Sequence, residues 1–506
     1  MASKIFMGYM PELMENILNN LKNEFNSLYS CALVSRYWCK MSIPILWQDP
    51  FSQFNQNPLF ITRYFSSLGE DEKFALKKYG INTEFFKTLF EYTRFLKILD
   101  LYNLEKKVVE WMLIELVNDT LMNFTINLLF NLFIENGATL DKLVVFFSDS
   151  LKFKPEIFCS LGQNVQFFSR LQYLFLSEVA FSNIESAVTL LRTLAKNATK
   201  IRALKLEKFV SIYDYYEPRL FQALFHAIMH IIESQEQLRL FSLVGVKYLT
   251  EFHGIISALE SQKNSLQEVI IDNCDFSAEF DVLNNCKNLE TLRIWYCDTK
   301  LSNIFDYKIS TLEIVNFSID ASVTIQILEQ SGLLLQRLKL GSCEGIWNES
   351  LLLETLKSSC PNIRYLNITG IEFSIQLIKL IGDLQKLQFL SLWCSIDDIQ
   401  DEELKIRVMT FSEILPLTLQ YLDLEDNWIE PYTDIFLDHC NAPLKKLLIY
   451  RLGNEKISKA LVEFCIRNKT LNYVGVYNYL DLYDKTRTEM EEYVPLVPFE
   501  HIIVDC

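Results

Sequence analysis

Glycine is scarce in this sequence, with 14 residues among 506. So few glycines leave no Gly-rich linker and no Gly-rich loop of the kind that cradles phosphate groups. The strings G-x-S-x-G, G-x-x-x-x-G-K-S/T and H-E-x-x-H are also missing. Those strings mark nucleophile elbows, nucleotide-binding loops and zinc proteases. The sequence therefore predicts a protein that is not an enzyme and that needs no cofactor.

Paired cysteines and metal-ligand clusters are missing as well. The twelve cysteines form no C-x-x-C pair, which favours free thiols in the reducing cytoplasm or nucleus over a disulfide framework. His226 and His230 are four residues apart on a predicted helix and could share a face, but no catalytic Glu lies between them. Two ordinary helix histidines are therefore favoured over a zinc site. Cys274, Cys297 and Cys343 recur at one position of a repeat, where the packing of a small side chain explains them without a metal.

Long apolar runs are absent too. The most apolar stretch, from Trp111 to Ile134, is interrupted by Glu115, Asn118, Asp119, Asn123, Asn127 and Asn131. That spacing is typical of buried helices, not of a membrane span. The first ten residues include one basic residue, Lys4, and no apolar run of signal-peptide length. The formal charge of −16 argues against binding to nucleic acid or to an anionic membrane, because phosphates would be repelled.

The pattern L-x-x-L-x-L, by contrast, recurs along most of the chain. It opens at fourteen positions: Leu96, Leu140, Leu171, Ile201, Leu238, Leu266, Leu289, Ile309, Leu335, Ile363, Leu387, Leu419, Leu444 and Leu471. Most spacings fall between 20 and 32 residues, which is the range of leucine-rich repeats with some insertions. The first spacing is 44 residues, so the first repeat either carries an insertion or hides a degenerate unit.

Each repeat combines two periodicities. The fourth and sixth positions of the pattern alternate as in a short strand with one face in the core. Helical spacing of apolar residues follows, as in Ser182 to Ala198 and in Arg219 to Glu233. A strand followed by a helix, many times over, predicts an α/β fold: a leucine-rich-repeat solenoid with a curved parallel sheet inside and helices outside.

The first fifty residues break this pattern. Pro11 can open a helix, and an apolar stripe of Leu13, Met14, Ile17, Leu18 and Leu21 follows it. A second helical pattern covers Leu28 to Val34, and a third piece contains Trp38. So short a segment has too small a core to be stable alone. It needs a partner surface, or it caps the solenoid and needs no outside partner.

These residues resemble the F-box, whose usual pattern is L-P-x-E-L-x-x-x-I-L, a Leu-rich middle, V-S-R-x-W and a final L-W. The sequence supplies Pro11, Glu12, Leu13, Ile17, Leu18, Leu33, Val34, Ser35, Arg36, Trp38, Leu46 and Trp47, with Met10 in place of the usual Leu. The whole chain is similar to the expanded F-box families of fungi. In that family the F-box binds the Skp adaptor of a Skp–cullin–F-box ubiquitin ligase.

The resemblance implies that Pro11, Leu13, Ile17, Leu18, Val34 and Trp38 face the Skp adaptor, with Leu33 a candidate for the module's own core instead. It also implies that the chain is a substrate-recognition adaptor, whose repeats hold a target protein for ubiquitination. The alternative is a leucine-rich-repeat scaffold for protein–protein interaction without a ligase.

Four segments follow from these patterns. Residues 1–50 form the F-box, and residues 91–480 form about fourteen repeats. Residues 51–90 form a connector expected to pack on the N-terminal end of the solenoid, rich in the aromatics Phe51, Phe54, Phe60, Tyr64, Phe65, Phe74, Phe85, Phe86 and Phe90. Residues 481–506 form a C-terminal cap or a tail, in which Ile502, Ile503 and Val504 favour a strand.

The target is expected on the concave face, at aromatic positions that alternate with the core. These positions are Trp295, Tyr365, Phe389, Trp393, Tyr421 and Tyr450. Exposed aromatics bury much area at low entropic cost, and Asp423 and Glu425 among them could select a cationic group. The alternative is that the rings stack along the sheet and only support it. A small-molecule pocket at Arg293, Arg337 and Lys339 is a further alternative.

Overall fold

The fold is described by a computed structural model of the chain. It covers residues 10–52, 57–79, 81, 88–115, 119–207, 218–245, 254–274, 279–297, 308–397, 399–425, 428–449, 455–477 and 484–503. No helix within these ranges is long and apolar enough to cross a membrane. The chain divides into two compact units, Met1–Leu266 and Gln267–Cys506.

The first unit begins with three short helices that form an N-terminal module. They are α1 Pro11–Asn20, α2 Phe25–Ala32 and α3 Arg36–Leu46. Pro11 occupies the first turn of α1, where its missing N–H costs nothing. Ser35 caps α3, since its hydroxyl accepts the backbone N–H of Trp38 at 3.3 Å. Met14, Leu18, Leu28 and Ile45 are buried together in the module's core.

The aromatic connector that follows contributes to the core of the first unit. It contains α4 Ile61–Tyr64 and α5 Glu70–Lys78. Tyr64 and Phe51 pack their rings against Phe133, at 5.1 and 6.1 Å between centroids, and Phe65 packs against Trp111 at 5.5 Å. Phe54, Phe85 and Phe86 lie outside the described residues. These contacts attach the connector to the first helices of the repeat region.

Parallel strands and helices make up the rest of the first unit. The strands are β1 Ile98–Asp100, β2 Lys142–Phe147, β3 Tyr173–Val179, β4 Ala203–Glu207 and β5 Leu240–Val244. They pair in chain order. The helices are α6 Leu101–Glu115, α7 Asp119–Glu135, α8 Pro155–Gln163, α9 Ile184–Asn197, α10 Pro218–Glu233 and α11 Ile255–Ala258.

The second unit continues the same alternation. Its parallel strands are β6 Glu268–Asp272, β7 Thr291–Trp295, β8 Thr311–Asn316, β10 Arg337–Ser342, β12 Tyr365–Glu372, β13 Phe389–Ser395, β14 Tyr421–Leu424, β15 Lys446–Ile449, β16 Tyr473–Val476 and β17 Leu496–Pro498. A separate small sheet pairs β9 Ile319–Asp320 with β11 Ile346–Trp347. The helices are α12 Ala321–Ser331, α13 Glu349–Ser359, α14 Ile375–Asp383, α15 Asp401–Ile414, α16 Thr433–His439, α17 Glu455–Arg467 and α18 Asp484–Glu491.

The predicted repeat positions are confirmed with their register. Each of the fourteen predicted opening residues lies two positions before a parallel strand. All of them are buried except Leu471, which is half-buried. These residues hold the start of each strand against the core, while alternate residues within the strand point inward. The leucine-rich-repeat architecture of each unit thus follows from the pattern.

Two features of the repeats were decided by the tertiary structure. The long first spacing is an insertion, because α6 and α7 fill it and no strand lies between β1 and β2 among the described residues. A further strand after the fourteen predicted ones, β17, follows the buried Val494, which opens no L-x-x-L-x-L pattern.

The predicted strand at Ile502 and Ile503 is wrong, because Ile502 follows a short 3-10 helix, Phe499–His501. Val504 lies outside the described residues.

Candidate interaction surfaces

The N-terminal module exposes large apolar side chains at two places. Leu13 and Ile17, one turn apart on α1, are 46% and 44% exposed. Leu33 and Val34, in the turn between α2 and α3, are 70% and 63% exposed. Side chains four residues apart on a helix share a face, so Leu13 and Ile17 form one apolar patch. We refer to these four residues as the module's apolar surface.

The structure assigns the predicted adaptor-facing residues to different places. Pro11, Leu13, Ile17 and Val34 lie on the surface, and Trp38 is partly buried against the module's core. Leu18 is fully buried in that core, so its prediction as an adaptor-facing residue is wrong. Leu33, expected as the core candidate, is exposed instead. The reversal has a simple cause. Leu18 shares a helix face with buried Met14, whereas Leu33 follows the last residue of α2.

The second candidate surface is the open face of the sheet in the second unit. We define the open face as the strand side chains that alternate with the buried core positions. Its first row, in strand register, contains Arg337, Tyr365, Phe389 and Tyr421. The ring centroids of Tyr365 and Phe389 are 6.2 Å apart, those of Phe389 and Tyr421 are 5.8 Å apart, and the Arg337 guanidinium lies 5.1 Å from the Tyr365 centroid. The row is a continuous stack across four strands.

This stacking removes two predicted target contacts from the surface. Tyr365 is 7% exposed and Tyr421 is 3% exposed, so neither ring offers much area to a partner. The alternative, in which the rings stack along the sheet and support it, describes both residues. Phe389 remains half-buried, and Tyr450 lies outside the described residues.

Two half-buried tryptophans, Trp295 and Trp393, occupy another row of the open face. The register between them runs through Val315, Gly341 and Thr369. The side chains between the tryptophans are therefore small, and four strand spacings of about 4.8 Å separate the two positions by roughly 19 Å. The row could accept an extended segment with a large side chain near each end.

The contacts of Arg293 do not support a small-molecule site that includes this residue. Arg293 lies between two carboxylates, and its guanidinium donates to Glu268 at 2.6 Å and to Glu313 at 2.9 Å. Glu313 is itself buried, so the pair is a structural ion pair. A charge that is neutralised in this way is not available to attract an anion.

A buried carboxyl group, Asp423, lies near the C-terminal end of the open face and is 2% exposed. The hydroxyl of Tyr477 donates to both of its oxygens at 3.4 Å, and the hydroxyl of Tyr421 donates to one at 3.5 Å. Burial, reinforced by the negative charge of Glu425, raises the pKa of Asp423 to about 7, although the two phenols act in the opposite direction. Glu425 accepts from the Ser391 hydroxyl at 2.6 Å.

The chain's own C-terminal residues cover this region. Ile502 is buried against Tyr421 and Leu448, and the ring of Phe499 stacks on Tyr477. The sequence did not indicate that Ile502 and Phe499 contact the aromatic residues of this face. One signal was present: Gly475 occupies an outward strand position, where a glycine often marks a close approach by another segment.

No protein-family model and no curated protein matches this sequence. Among solved structures, a chain from the complex of Rad7 and Elc1 in yeast is 14% identical, covers 86% of this chain and 99% of its own length, and gives a TM-score of 0.40. A protein from Bacteroides fragilis is 12% identical, covers 66% of this chain and 75% of its own length, and gives a TM-score of 0.29. TM-scores below 0.5 at such low sequence identity do not assign this chain to a family. The repeat fold rests on its own strands and helices.

Proposed function

We propose that this chain is the substrate-recognition adaptor of a Skp–cullin–F-box ubiquitin ligase. Its N-terminal module docks on the Skp adaptor, and its repeats hold a target protein. The chain supplies proximity and orientation, because it raises the effective concentration of a target lysine near the charged ubiquitin carrier. No catalytic residue of its own is needed for this role.

The apolar surface of the module is the observation that carries the proposal. Leu13, Ile17, Leu33 and Val34 leave large apolar area in water within a module of about forty residues. Exposed apolar area of this kind marks a protein interface when it is concentrated in one small element. Three of the four, Leu13, Ile17 and Val34, are also residues that the F-box resemblance assigns to the adaptor.

The target site is proposed on the open face of the second unit. Trp295, Phe389 and Trp393 are the predicted target contacts that keep part of their area accessible. Aromatic side chains of this size dominate the energy of many protein interfaces. The two tryptophans set a length of roughly 19 Å for the target segment between them, from four strand spacings.

Copurification with the Skp adaptor tests the first half of the proposal. We expect the intact chain to retain the adaptor, and Ile17→Asp with Val34→Asp to weaken binding at least tenfold. Both side chains are exposed, so the double variant should keep its fold. The matched control is Leu333→Asp with Leu417→Asp, which places the same charges on exposed leucines of the second unit.

The outcomes separate the proposal from its alternative. Equal adaptor binding by the two double variants, or no binding by the intact chain, would contradict ligase association and favour a repeat scaffold that acts without a ligase. Loss of binding in the module variant alone, with circular dichroism unchanged, would support the proposal.

A further inference from the structure

The last described residues of the chain, 499–503, lie on the open face of the second unit. We refer to them as the strap. Strands β12 to β15 each lead into a helix whose buried side chains join the core. After β17 the chain turns instead to the open face of the sheet, where Ile502 of the strap packs on Tyr421 and Leu448. These are outward positions, because Leu422, Leu447 and Leu424 occupy the core positions beside them.

The open face changes character where the strap lies. Along one register row, the outward residues are Arg293, Glu313, Lys339, Asn367, Ser391, Asp423, Leu448 and Gly475. Six polar residues are thus followed by a leucine and a glycine, which form the floor under the strap. A polar row needs no cover, whereas a leucine at this position is stabilised by an apolar partner.

Gly475 is required by space and not by its backbone conformation. A Cβ at this position would lie 2.8 Å from Cδ1 of Ile502 and 3.1 Å from Cγ of Leu448. Its φ lies outside the left-handed range that favours glycine. The floor is therefore shaped to accept a branched aliphatic side chain at close range.

Among the residues that the structure describes, two side chains of the strap, Phe499 and Ile502, pack on the open face. Phe499 stacks on Tyr477 and Ile502 fills the floor, whereas Glu500, His501 and Ile503 are exposed. Within the part of the chain that the structure describes, the strap's backbone hydrogen bonds are internal: the N–H groups of Ile502 and Ile503 donate to the carbonyl of Phe499. A segment with so few contacts opens at a low free-energy cost compared with a core strand.

We propose that the open face of β14–β16 is a peptide-binding site that the strap occupies and holds shut. Its partner is a protein segment that carries an aromatic side chain and, three residues later, a branched aliphatic side chain, folded into one helical turn. Phe499 and Ile502 have this spacing and show how the site is filled. The inference rests on the proposed function, because it defines part of the target site and a contact that the target displaces.

Anisotropy titration of a fluorescein-labelled peptide tests the site directly. The probe has the sequence of Pro498 to Ile503, and the control probe has serine in place of Phe499 and Ile502. The open variant is the full chain with Phe499→Ser and Ile502→Ser. A tethered strap competes at a millimolar effective concentration, so we expect the open variant to bind the probe at least about tenfold more tightly than the intact chain does. The control probe should bind the open variant no more tightly than it binds the intact chain.

Two further variants locate the binding. In the open variant, Tyr477→Ser removes the stacking surface and should reduce probe binding at least tenfold, whereas Tyr473→Ser, an exposed tyrosine of the same strand face, should not. Equal binding by the open and intact chains, or no effect of Tyr477→Ser, would overturn the proposal.

Hydrogen exchange of residues 473–476 tests whether residues 499–503 are a displaceable segment or are required for the fold of the neighbouring strand. We expect this strand to stay protected in the open variant. If it loses protection, the segment is required for folding, and the proposal is overturned. Adaptor binding by the same variants should be unchanged. A chain that never binds the adaptor contradicts the proposed function alone, since probe binding is measured independently.

Discussion

Phe499 stacks face to face on Tyr477, with ring centroids 4.1 Å apart and ring planes inclined by 16°. The hydroxyl of the same Tyr477 donates to the carboxyl oxygens of Asp423 at 3.4 Å. The end of the chain is thereby connected, through one tyrosine, to a buried acid on β14. A substitution of Phe499 should therefore alter the environment of Asp423, and a substitution of Asp423 should alter the packing of Phe499.

The stability of the second unit should depend on pH through Asp423. Its pKa is raised from 3.8 to about 7, so between these values the folded state holds a proton that the unfolded state has lost. Protonation of Asp423 therefore favours the folded state at low pH. The free energy of unfolding is expected to be highest near pH 4, to fall as pH rises to about 7, and not to change further above that pH through this group. Asp423→Asn stays neutral and should gain stability relative to the unsubstituted chain, by up to about 1.4 kcal/mol per pH unit in this range.

Urea unfolding of both chains between pH 4 and pH 8 measures this difference. Glu425→Gln is the matched variant, because it removes the neighbouring charge that raises the pKa of Asp423. It should move the upper end of the pH window to lower pH. A stability difference between Asp423→Asn and the unsubstituted chain that does not change with pH would show that Asp423 is not protonated in the folded state.

Leu18 and Leu33 should respond to substitution in opposite ways. Leu18 is fully buried, so Leu18→Ala should lower the free energy of unfolding of the module by about 2–5 kcal/mol. Leu33 is exposed, so Leu33→Ala should change stability by less than about 0.5 kcal/mol and should weaken adaptor binding instead. Denaturant unfolding and adaptor copurification on the same samples check both outcomes. Equal stability losses would contradict the assignment of Leu18 to the core.

Arg293 should be needed mainly because Glu313 is buried. The Glu313 side chain is 3% exposed, and Arg293→Met would leave its charge without this partner, at a cost of about 3–5 kcal/mol. Adding Glu313→Met removes that charge, so the double variant should recover most of the lost stability. A double variant no more stable than Arg293→Met, as measured by thermal unfolding, would show that the ion pair is not the source of the effect.

Gly370 and Gly137 have almost the same φ, 76° and 74°, but different surroundings. A Cβ on Gly370 would lie 2.0 Å from the carbonyl oxygen of Ser342, whereas a Cβ on Gly137 meets no atom within 4 Å. Gly137→Ala should therefore cost only the conformational strain of about 1–2 kcal/mol. Gly370→Ala should cost clearly more, because a backbone atom of the neighbouring strand must move. Hydrogen exchange in the repeats around each glycine provides the comparison, and equal losses of protection would contradict the steric argument.

The repeat strands could be predicted from the sequence because their determinants are local. Each opening leucine or isoleucine and the two alternate residues after it define a strand start, and this held at every predicted position from Leu96 to Leu471. The helix over 184–197 likewise follows from the spacing of Ile184, Val188 and Leu191. Period two and period 3.6 are properties of the chain itself, and burial of the apolar face selects them.

The tertiary structure decided which of the remaining residues a partner could reach. Tyr365 and Tyr421 alternate correctly with the core, but neighbouring strands stack rings on them and the strap covers one of them. Leu18 and Leu33 have the same side chain, and only the packing of the three helices buries Leu18 and leaves Leu33 exposed. The sequence by itself determined the strands and the face on which each side chain lies. Exposure on the open face depends on contacts between residues far apart in the chain, such as Asp423, Tyr477 and Phe499, and only the folded molecule brings those together.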